Sequence, residues 1–366
     1  MCVVDRNRVT FGIRLPVSGP AASAEAITRV AREAEALGFE SVWAHDLTGW
    51  TREMQRSSVY CGSAEMTDRD PNPVMFETLS VLSYVAGVTS TVRIGSAVIC
   101  VPLRNPVLLA KQLASIDVLS GGRLIVGVGI GAVTDEVTDN EVLGVSRKNR
   151  YERMDEYLDM MTTVWSSPKP YYEGRFVDLP ATEIFPKPVQ DPLPLWMGGS
   201  GPRAREIMTT RATGWIPSWL DIDGYRDLVP DIARRLDTKG RSINDFVVAK
   251  DCYVAIDESA DGARKSSRRT TERLLNRLSG PGRERRCRSM LIGEPHGVSD
   301  QIRSFVEAGV SHFELKFIYH SESHLSQQMG LFARDILGTN QRLRRKSFPA
   351  ARPPTATIPP AGANLC

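Results

Sequence analysis

Short apolar runs alternate along this chain with longer segments in which apolar residues recur every three or four positions. The run 93–99 has no clean period of two, which is typical of a strand buried on both faces of a parallel sheet. Asn105 and Pro106 then supply a helix cap and a first helical residue, and Gly121 and Gly122 end the helical spacing that follows. The run 123–128 is apolar again. This stretch therefore predicts a strand, a helix and a second strand in succession.

The same alternation recurs over most of the chain and predicts its fold. Apolar runs that read as strands cover residues 9–14, 40–44, 93–99, 123–128, 193–197, 214–218, 246–256 and 311–318. Eight such runs separated by helical patterns predict a (β/α)8 TIM barrel, because these barrels commonly need about 250 residues or more. A doubly wound sheet is the alternative, but it requires a switch point between two halves, and the sequence contains neither.

Three segments interrupt the alternation. Residues 171–179 read as a small hairpin, and the proline-rich segment 180–194 cannot be a helix or a central strand. Residues 51–73 are polar and without clear periodicity. A loop of that length in a compact domain is usually functional or disordered, and this one leaves the second strand at the end where barrel enzymes build their sites. We therefore expect 51–73 to act as a lid over the mouth of the barrel.

The end of the chain differs in composition from the rest. Beyond Asp335 there are five basic residues and no acidic ones, together with several prolines. Removing these five charges from the net charge of +3 leaves −2, so the body is near neutral and nucleic acid is not an expected partner. We therefore predict a barrel domain at 1–338 and a disordered, basic, proline-rich tail at 339–366.

The composition also bears on where the protein works. No apolar run approaches the length of a membrane span. Residues 1–8 lack the apolar centre of a signal peptide. The six cysteines are scattered without ligand spacing, which favours free thiols in a reducing compartment. We expect a cytoplasmic protein that does not act at a membrane.

Two glycine clusters are the best candidates for binding. Gly198, Gly199, Ser200 and Gly201 precede Pro202 at a predicted helix start, where backbone N–H groups and the helix dipole suit a phosphate. A plain tight turn is the alternative interpretation. Glycines at 127, 129 and 131 end a strand on alternate positions, which suggests close approach by a flat ligand. Their spacing does not match the Rossmann fingerprint.

Three segments carry a resemblance to a known family: GFESVWAHD (38–46), RIGSAVICVPLRNPVLLAKQLASIDVLSGGRLIVGVGIG (93–131) and PVQDPLPLWMGGSGPRA (188–204). They resemble the luciferase-like (bacterial luciferase) superfamily of flavin-dependent oxidoreductases. LRNPVLLAKQ and SGGRLIVGVGIG are most similar to the branch that uses the deazaflavin F420. The resemblance covers about residues 8–337 and implies a TIM barrel that holds FMN or F420 at its C-terminal mouth.

The resemblance also implies positions for the cofactor. It assigns the cofactor phosphate to Gly198, Gly199, Ser200 and Gly201. It brings the end of the 123–128 strand beside the flavin ring, with contacts at Gly129, Gly131 and Ala132. Ala97 and Val98 occupy the position where F420 relatives often have a non-proline cis peptide behind the ring.

Three residues are candidates for catalysis. Asp46 ends the second strand, where the family often has Asp-His near the deazaflavin, but Leu47 follows here instead of a histidine. His45 lies one residue early and faces the other side of the strand, so a structural and a catalytic role are equally supported. His320 follows the last strand as a candidate pocket residue, with a position on a solvated loop as the alternative. His324 lies four positions further on, but no third ligand lies nearby, so we expect no metal there.

These observations support three functions. The first is F420-dependent hydride transfer to or from a small organic substrate. The second is an FMNH2-dependent monooxygenase supplied by a separate reductase. The third is a non-catalytic flavin-binding protein, which the missing histidine suggests. The expected partners are a small-molecule substrate, a separate flavin or F420 reductase, and a second copy of the chain.

Overall fold

A parallel β-barrel forms the centre of the protein. The computed structural model describes residues 8–47, 62–69, 74–131, 145–146, 148–276 and 280–338. Within these ranges one sheet contains ten strands: β1 Thr10–Arg14, β2 Ser41–Ala44, β3 Arg93–Ser96, β4 Ile99–Cys100, β5 Leu124–Gly129, β6 Leu195–Met197, β7 Gly214–Trp215, β8 Val247–Ile256, β9 Leu291–Gly293 and β10 His312–Phe317. The predicted tail 339–366 and most of the predicted lid lie outside the described residues.

Eight of these strands close into a ring. The order is β1, β2, β3, β5, β6, β7, β8, β10, and all neighbours are parallel. The ring closes where β10 pairs with β8, from His312 opposite Ala249 to Phe317 opposite Val254, and with β1. β4 and β9 are short additions that pair with β5 and with the end of β8. The predicted (β/α)8 TIM barrel is confirmed.

Helices surround the ring. They are α1 Ala24–Leu37, α2 Ala64–Arg69, α3 Thr78–Val88, α4 Pro106–Leu119, α5 Arg150–Ser166, α6 Pro202–Arg211, α7 Ile222–Asp237, α8 Ala260–Leu275, α9 Gly280–Arg288, α10 Pro295–Glu307 and α11 Glu322–Phe332. Short 3₁₀ turns cover Val101–Leu103 and Ile243–Asp245, and a π turn Ala333–Leu337 follows α11. No helix of the described residues combines the length and the apolar character needed to cross a membrane.

Side-chain caps explain where two of these helices begin, and the cap at Asn105 is as expected from sequence. The Ser23 hydroxyl accepts a hydrogen bond from the backbone N–H of Ala26 at 3.0 Å, and α1 ends at Gly38 with φ at 84°. The Asn105 side chain accepts from the N–H of Leu108 at 3.0 Å, one position before Pro106 begins α4.

The sequence-based prediction needs four corrections. The strand 93–99 is two strands, because the chain bends between Ser96 and Ile99. β9 was missed, since its three residues are too short to form a recognisable apolar run. The hairpin at 171–179 is a single antiparallel bridge between Tyr172 and Leu179. Part of the segment interpreted as a loop, 51–73, is helix α2, which is only six residues long.

Aromatic side chains fill the lower part of the barrel. The rings of Trp43 and Trp196 lie 5.1 Å apart, and His312 lies 5.0 Å from Trp196. Glycines on neighbouring strands make room for them, since a Cβ on Gly95 would overlap the Trp43 indole. A Cβ on Gly214 would come within 2.6 Å of Trp196. Because these aromatic side chains fill the interior below the mouth, the site is left to the C-terminal ends of the strands.

Candidate functional site

A bulge between β3 and β4 forms one wall of the barrel mouth. The peptide bond between Ala97 and Val98 is cis, as the resemblance led us to expect. The Ser96 hydroxyl holds the start of the bulge to β5, because it donates to the carbonyl of Gly127 at 3.0 Å and accepts from the N–H of Gly127 at 2.9 Å. A Cβ on Gly129 would lie 2.7 Å from Val98 Cγ2. The bulge therefore lies directly against the glycine-rich face of β5.

The alternate glycines of β5 serve this contact. A Cβ at Gly127 would overlap the carbonyl of Ser96, and one at Gly131 would lie 2.8 Å from Cys100 Sγ. The space expected for a flat ligand is thus taken up by the chain's own β3–β4 segment. Glycine spacing indicates close approach, but it does not tell whether backbone or ligand approaches. Cofactor contacts at Gly129 and Gly131 stay predictions, and Ala132 lies outside the described residues.

The turn after β6 leads into α6, whose first residues lie at the same mouth. Gly199 has φ at 83°, and its carbonyl accepts from Trp215 Nε1 at 2.6 Å. Gly201 is the N-cap, and no side chain of the described residues caps α6. A Cβ on Gly201 would meet no atom within 4 Å, so the helix start is open. A Cβ on Gly198 would lie 3.3 Å from Val98 Cγ2, so this turn adjoins the bulge. An open helix start of this kind fits a phosphate.

Asp46 is fully engaged by protein groups. Its Oδ1 accepts from Arg104 at 2.6 Å and from the Thr78 hydroxyl at 3.1 Å. Its Oδ2 accepts from the backbone N–H of Cys100 at 3.0 Å. The carboxylate therefore ties the end of β2 to β4 and to the first turn of α3. These contacts favour a structural role, and the predicted catalytic role of Asp46 has no support from them.

His45 faces the interior of the barrel mouth and is buried. Burial lowers the pKa of His45 well below its usual value, and the positive charges of Arg14 and Lys316 lower it further. The ring is therefore neutral near pH 7. A buried imidazole beside two cations is a weak base, so these surroundings do not suit it to take up a proton. The predicted catalytic role of His45 stays a prediction.

Two buried ion pairs form the floor beneath the mouth. Arg14 Nε lies 2.5 Å from Glu314 Oε1, and a second guanidinium nitrogen lies 3.0 Å from Oε2. Lys316 Nζ lies 2.5 Å from Asp251 Oδ1, and the Ser218 hydroxyl donates to Asp251 Oδ2 at 3.1 Å. Arg14 also reaches the carbonyl of Ala97 at 3.5 Å, so this charged floor contacts the bulge.

The two carboxyl groups of the charged floor respond differently to burial. Burial raises the pKa of Glu314 above its usual value, although Arg14 opposes the shift. Burial also acts to raise the pKa of Asp251, but Lys316 and Arg14 outweigh it and hold that pKa below its usual value. Asp251 is therefore an anion at neutral pH, and Lys316 has a permanent partner.

The sequence analysis missed the charged floor. Arg14 and Glu314 are 300 positions apart, so no local pattern connects them. A signal did exist, because Glu314 and Lys316 are charged residues two positions apart inside an otherwise apolar strand. Residues with that spacing share one face of a strand. Charged residues facing the inside of a barrel near its C-terminal end are candidates for a site.

His320 lies apart from the charged floor. Its Nε2 lies 2.7 Å from the carbonyl of Ser266 and therefore carries the proton, while Nδ1 lies 3.1 Å from the Ser63 hydroxyl. The ring stacks on His324 at 5.3 Å. These contacts join α8 to the start of α2. These contacts indicate that His320 holds α8 and the start of α2 together. Its predicted role in the pocket stays a prediction.

Comparison with known proteins agrees with this architecture. The family model of the luciferase-like monooxygenases matches residues 9–312. An uncharacterized protein of Mycobacterium tuberculosis is 34% identical over 205 residues, which cover 55% of this chain and 71% of the relative. An F420-dependent glucose-6-phosphate dehydrogenase of Microbacterium testaceum is 26% identical over 339 residues, with 86% and 91% covered. The structure of a monooxygenase from Streptomyces bottropensis has a TM-score of 0.72 at 23% identity and covers 90% of this chain and 99% of that one.

The family match runs from the start of the first barrel strand to the beginning of the last one. It therefore includes the bulge after β3, the glycine turn after β6, and Arg14 and Asp251 of the charged floor. These are the parts of the fold that form the mouth of the barrel. The chain accordingly belongs to the luciferase-like monooxygenase family of oxidoreductases.

Proposed function

We propose that this protein is an F420-dependent oxidoreductase that transfers a hydride to or from a small organic substrate. The observation that carries the proposal is the combination, at one mouth, of an open helix start with a floor of paired charges. The helix start after Gly201 suits the phosphate of a cofactor. The charged floor suits a polar substrate better than a hydrocarbon, because an apolar molecule would desolvate these charges without replacing their hydrogen bonds.

The cofactor would be held by residues of two loops. Backbone N–H groups of Gly199, Ser200 and Gly201, with Gly198 behind them, would hold its phosphate. The residues that we propose beside its ring are Ala97, Val98, Gly129, Gly131 and Ala132. When bound, F420 supplies the carbon that gives or takes a hydride, while the protein positions the substrate and excludes water. The relative that is named as F420-dependent supports this choice of cofactor, since it matches most of the chain.

A second candidate is an FMNH2-dependent monooxygenase. Leu47 favours it, because F420 relatives often have a histidine at this position. Such an enzyme would need a separate reductase, and a second copy of the chain is a further proposed partner. A non-catalytic flavin-binding protein would have the same open helix start but no turnover. The charged floor beside neutral His45 argues for chemistry over simple binding.

The test is to titrate the purified protein with oxidised F420 and, separately, with FMN, and to measure binding by fluorescence. We expect F420 to bind with a dissociation constant in the micromolar range, roughly −8 kcal/mol, and more tightly than FMN. If FMN binds more tightly and its reduced form consumes oxygen on the protein, the monooxygenase is correct. If neither cofactor binds, the proposal fails.

A further inference from the structure

We infer that Lys316 is the substrate-binding cation of this site, and that it donates a hydrogen bond to an uncharged carbonyl or hydroxyl oxygen. The inference rests on the proposed function, because it names the substrate class of the same mouth. The substrate would be a neutral ketone or alcohol with a flat or apolar body.

The contacts of Lys316 leave part of its donor capacity unused. Its ammonium lies 2.5 Å from Asp251 Oδ1 and 2.7 Å from Oδ2, and 5.2 Å from the centre of the Tyr253 ring. Among the described residues its hydrogen-bond acceptors both belong to the one carboxylate. An ammonium group has three N–H donors. One donor is therefore available to a bound oxygen.

Lys316 is also the most accessible charge of the floor. Its side chain is 13% exposed, against 8% for Asp251, 5% for Arg14 and none for Glu314. Lys250, the neighbour of Asp251 in sequence, points away from the interior. Its ammonium donates to the carbonyl of Leu220 at 3.1 Å and lies 4.2 Å from the Phe305 ring. Lys316 is thus the cation that an entering molecule would meet.

The charge balance selects an uncharged oxygen. Arg14 with Glu314 and Lys316 with Asp251 form two pairs, so the floor has no net charge when all four are ionised. A carboxylate or phosphate would add an unbalanced charge to this buried region, which is costly. A carbonyl or hydroxyl oxygen accepts the remaining hydrogen bond without adding a charge. The floor therefore favours ketones and alcohols over anions.

An aromatic surface extends from Lys316 towards the rim. Tyr253 stacks on Trp219 with ring centres 5.1 Å apart, and the Arg286 guanidinium covers Trp219 at 4.0 Å. The ring faces are covered within this stack, so the ring edges border the space beside Lys316. Apolar ring edges beside one cation favour a substrate with one oxygen on an apolar ring or chain.

The test uses three probes of similar size: cyclohexanone, cyclohexanecarboxylate and methylcyclohexane. Binding is measured by ligand-observed NMR on the full-length protein, alone and with oxidised F420. We expect cyclohexanone to bind most tightly of the three. The variant K316M should weaken cyclohexanone binding about tenfold or more, K316R should recover part of the loss, and K265M, at an exposed lysine of α8, should match the wild type.

K316M leaves Asp251 without its partner and is therefore at risk of misfolding. The double variant K316M/D251N keeps the floor neutral and tests the same hydrogen bond. We expect it to fold, to bind F420 as the wild type does, and to lose the preference for cyclohexanone. Equal cyclohexanone binding in this variant, or tighter binding of cyclohexanecarboxylate to the wild type, would overturn the inference. If F420 does not bind but the probes do, the proposed function is refuted. Cyclohexanone binding to the cofactor-free protein would still test the role of Lys316.

Discussion

At the scale of single residues, the carboxylates of this barrel fall into those that hold loops and those that face the mouth. Asp46 belongs to the first group, because three protein donors converge on its two oxygens. Asp251 belongs to the second group, since it positions Lys316 beside the mouth. A position near the end of a strand does not by itself tell these roles apart. The donors do, because those of Asp46 come from β4, from Arg104 and from the first turn of α3, whereas those of Asp251 are Lys316 and Ser218 at the mouth.

The first prediction concerns Asp46. Replacing Asp46 by Asn should lower the free energy of unfolding by about 2–3 kcal/mol, because the partly buried Arg104 and the N–H of Cys100 lose a charged acceptor. Urea unfolding measures the loss. Asp261→Asn is the matched control, since Asp261 forms an exposed pair with Arg264, and it should change stability by less than about 0.5 kcal/mol. A stable D46N protein that has lost turnover would instead point to a catalytic Asp46.

The second prediction concerns the cofactor turn. Ser200→Asp should weaken binding of F420 or FMN strongly while the protein stays folded. The new carboxylate would face a phosphate at close range, and at an effective dielectric of about 20 the repulsion is on the order of a few kcal/mol before screening. Fluorescence titration measures the affinity, and Ser200→Ala is the control that should bind nearly as the wild type. An unchanged dissociation constant in S200D would remove this turn from the cofactor site.

At the scale of elements, the mouth depends on how the β3–β4 segment lies against β5. The spaces beside the glycines at 127, 129 and 131 are filled by three residues of the segment. They are the carbonyl of Ser96 and the side chains of Val98 and Cys100, in that order. The sequence predicted β5 but merged β3 and β4 into one strand, because an apolar run does not reveal a bend within it. It could not predict the contact of the β3–β4 segment with β5, since the glycine pattern is equally compatible with an approaching ligand. The charged floor was missed because Arg14 and Glu314 are distant in the chain, and β9 because it has only three residues.

The third prediction tests this contact. Gly129→Ala should destabilise the protein by about 1–3 kcal/mol, because the added methyl group would overlap Val98, and overpacking of a filled interior has that cost. The double variant G129A/V98A should recover much of the stability. Gly330→Ala is the control, because it lies inside α11 where an added Cβ meets no atom of the described residues within 4 Å, and it should not lower stability, since alanine is the better helix former. Thermal unfolding compares all three variants. A G129A protein as stable as the wild type would mean that the bulge shifts freely.

At the scale of the whole molecule, the buried histidines couple stability to pH. Burial lowers the pKa of His312 to about 3, with a smaller effect of the Arg93 charge. In the unfolded chain a histidine has a pKa of about 6.5. Between these two values the unfolded state binds a proton and the folded state does not. Stability is therefore complete above pH 6.5 and falls as the pH drops towards 3.

The fourth prediction follows from this difference. The free energy of unfolding should be lower at pH 5.0 than at pH 7.5 by about 2 kcal/mol on account of His312, with a further loss in the same direction from His45. Urea titrations at both pH values measure it. His312→Gln should reduce the difference, while His296→Gln, at a side chain that is 86% exposed, should leave it unchanged. Equal pH dependence in H312Q and the wild type would contradict the assignment.

The closure of the barrel by β10 also has a consequence for synthesis of the chain. Thr10 pairs with His312, which follows it by 302 positions. At about 5–20 residues per second, a ribosome needs on the order of 15–60 s to add those residues. During that interval β1 has β2 on one side and an open edge on the other, and β8 lacks its neighbour as well. Open edges of parallel strands invite pairing with other chains. The nascent protein is therefore a natural client for a chaperone until its last strand emerges and completes the ring.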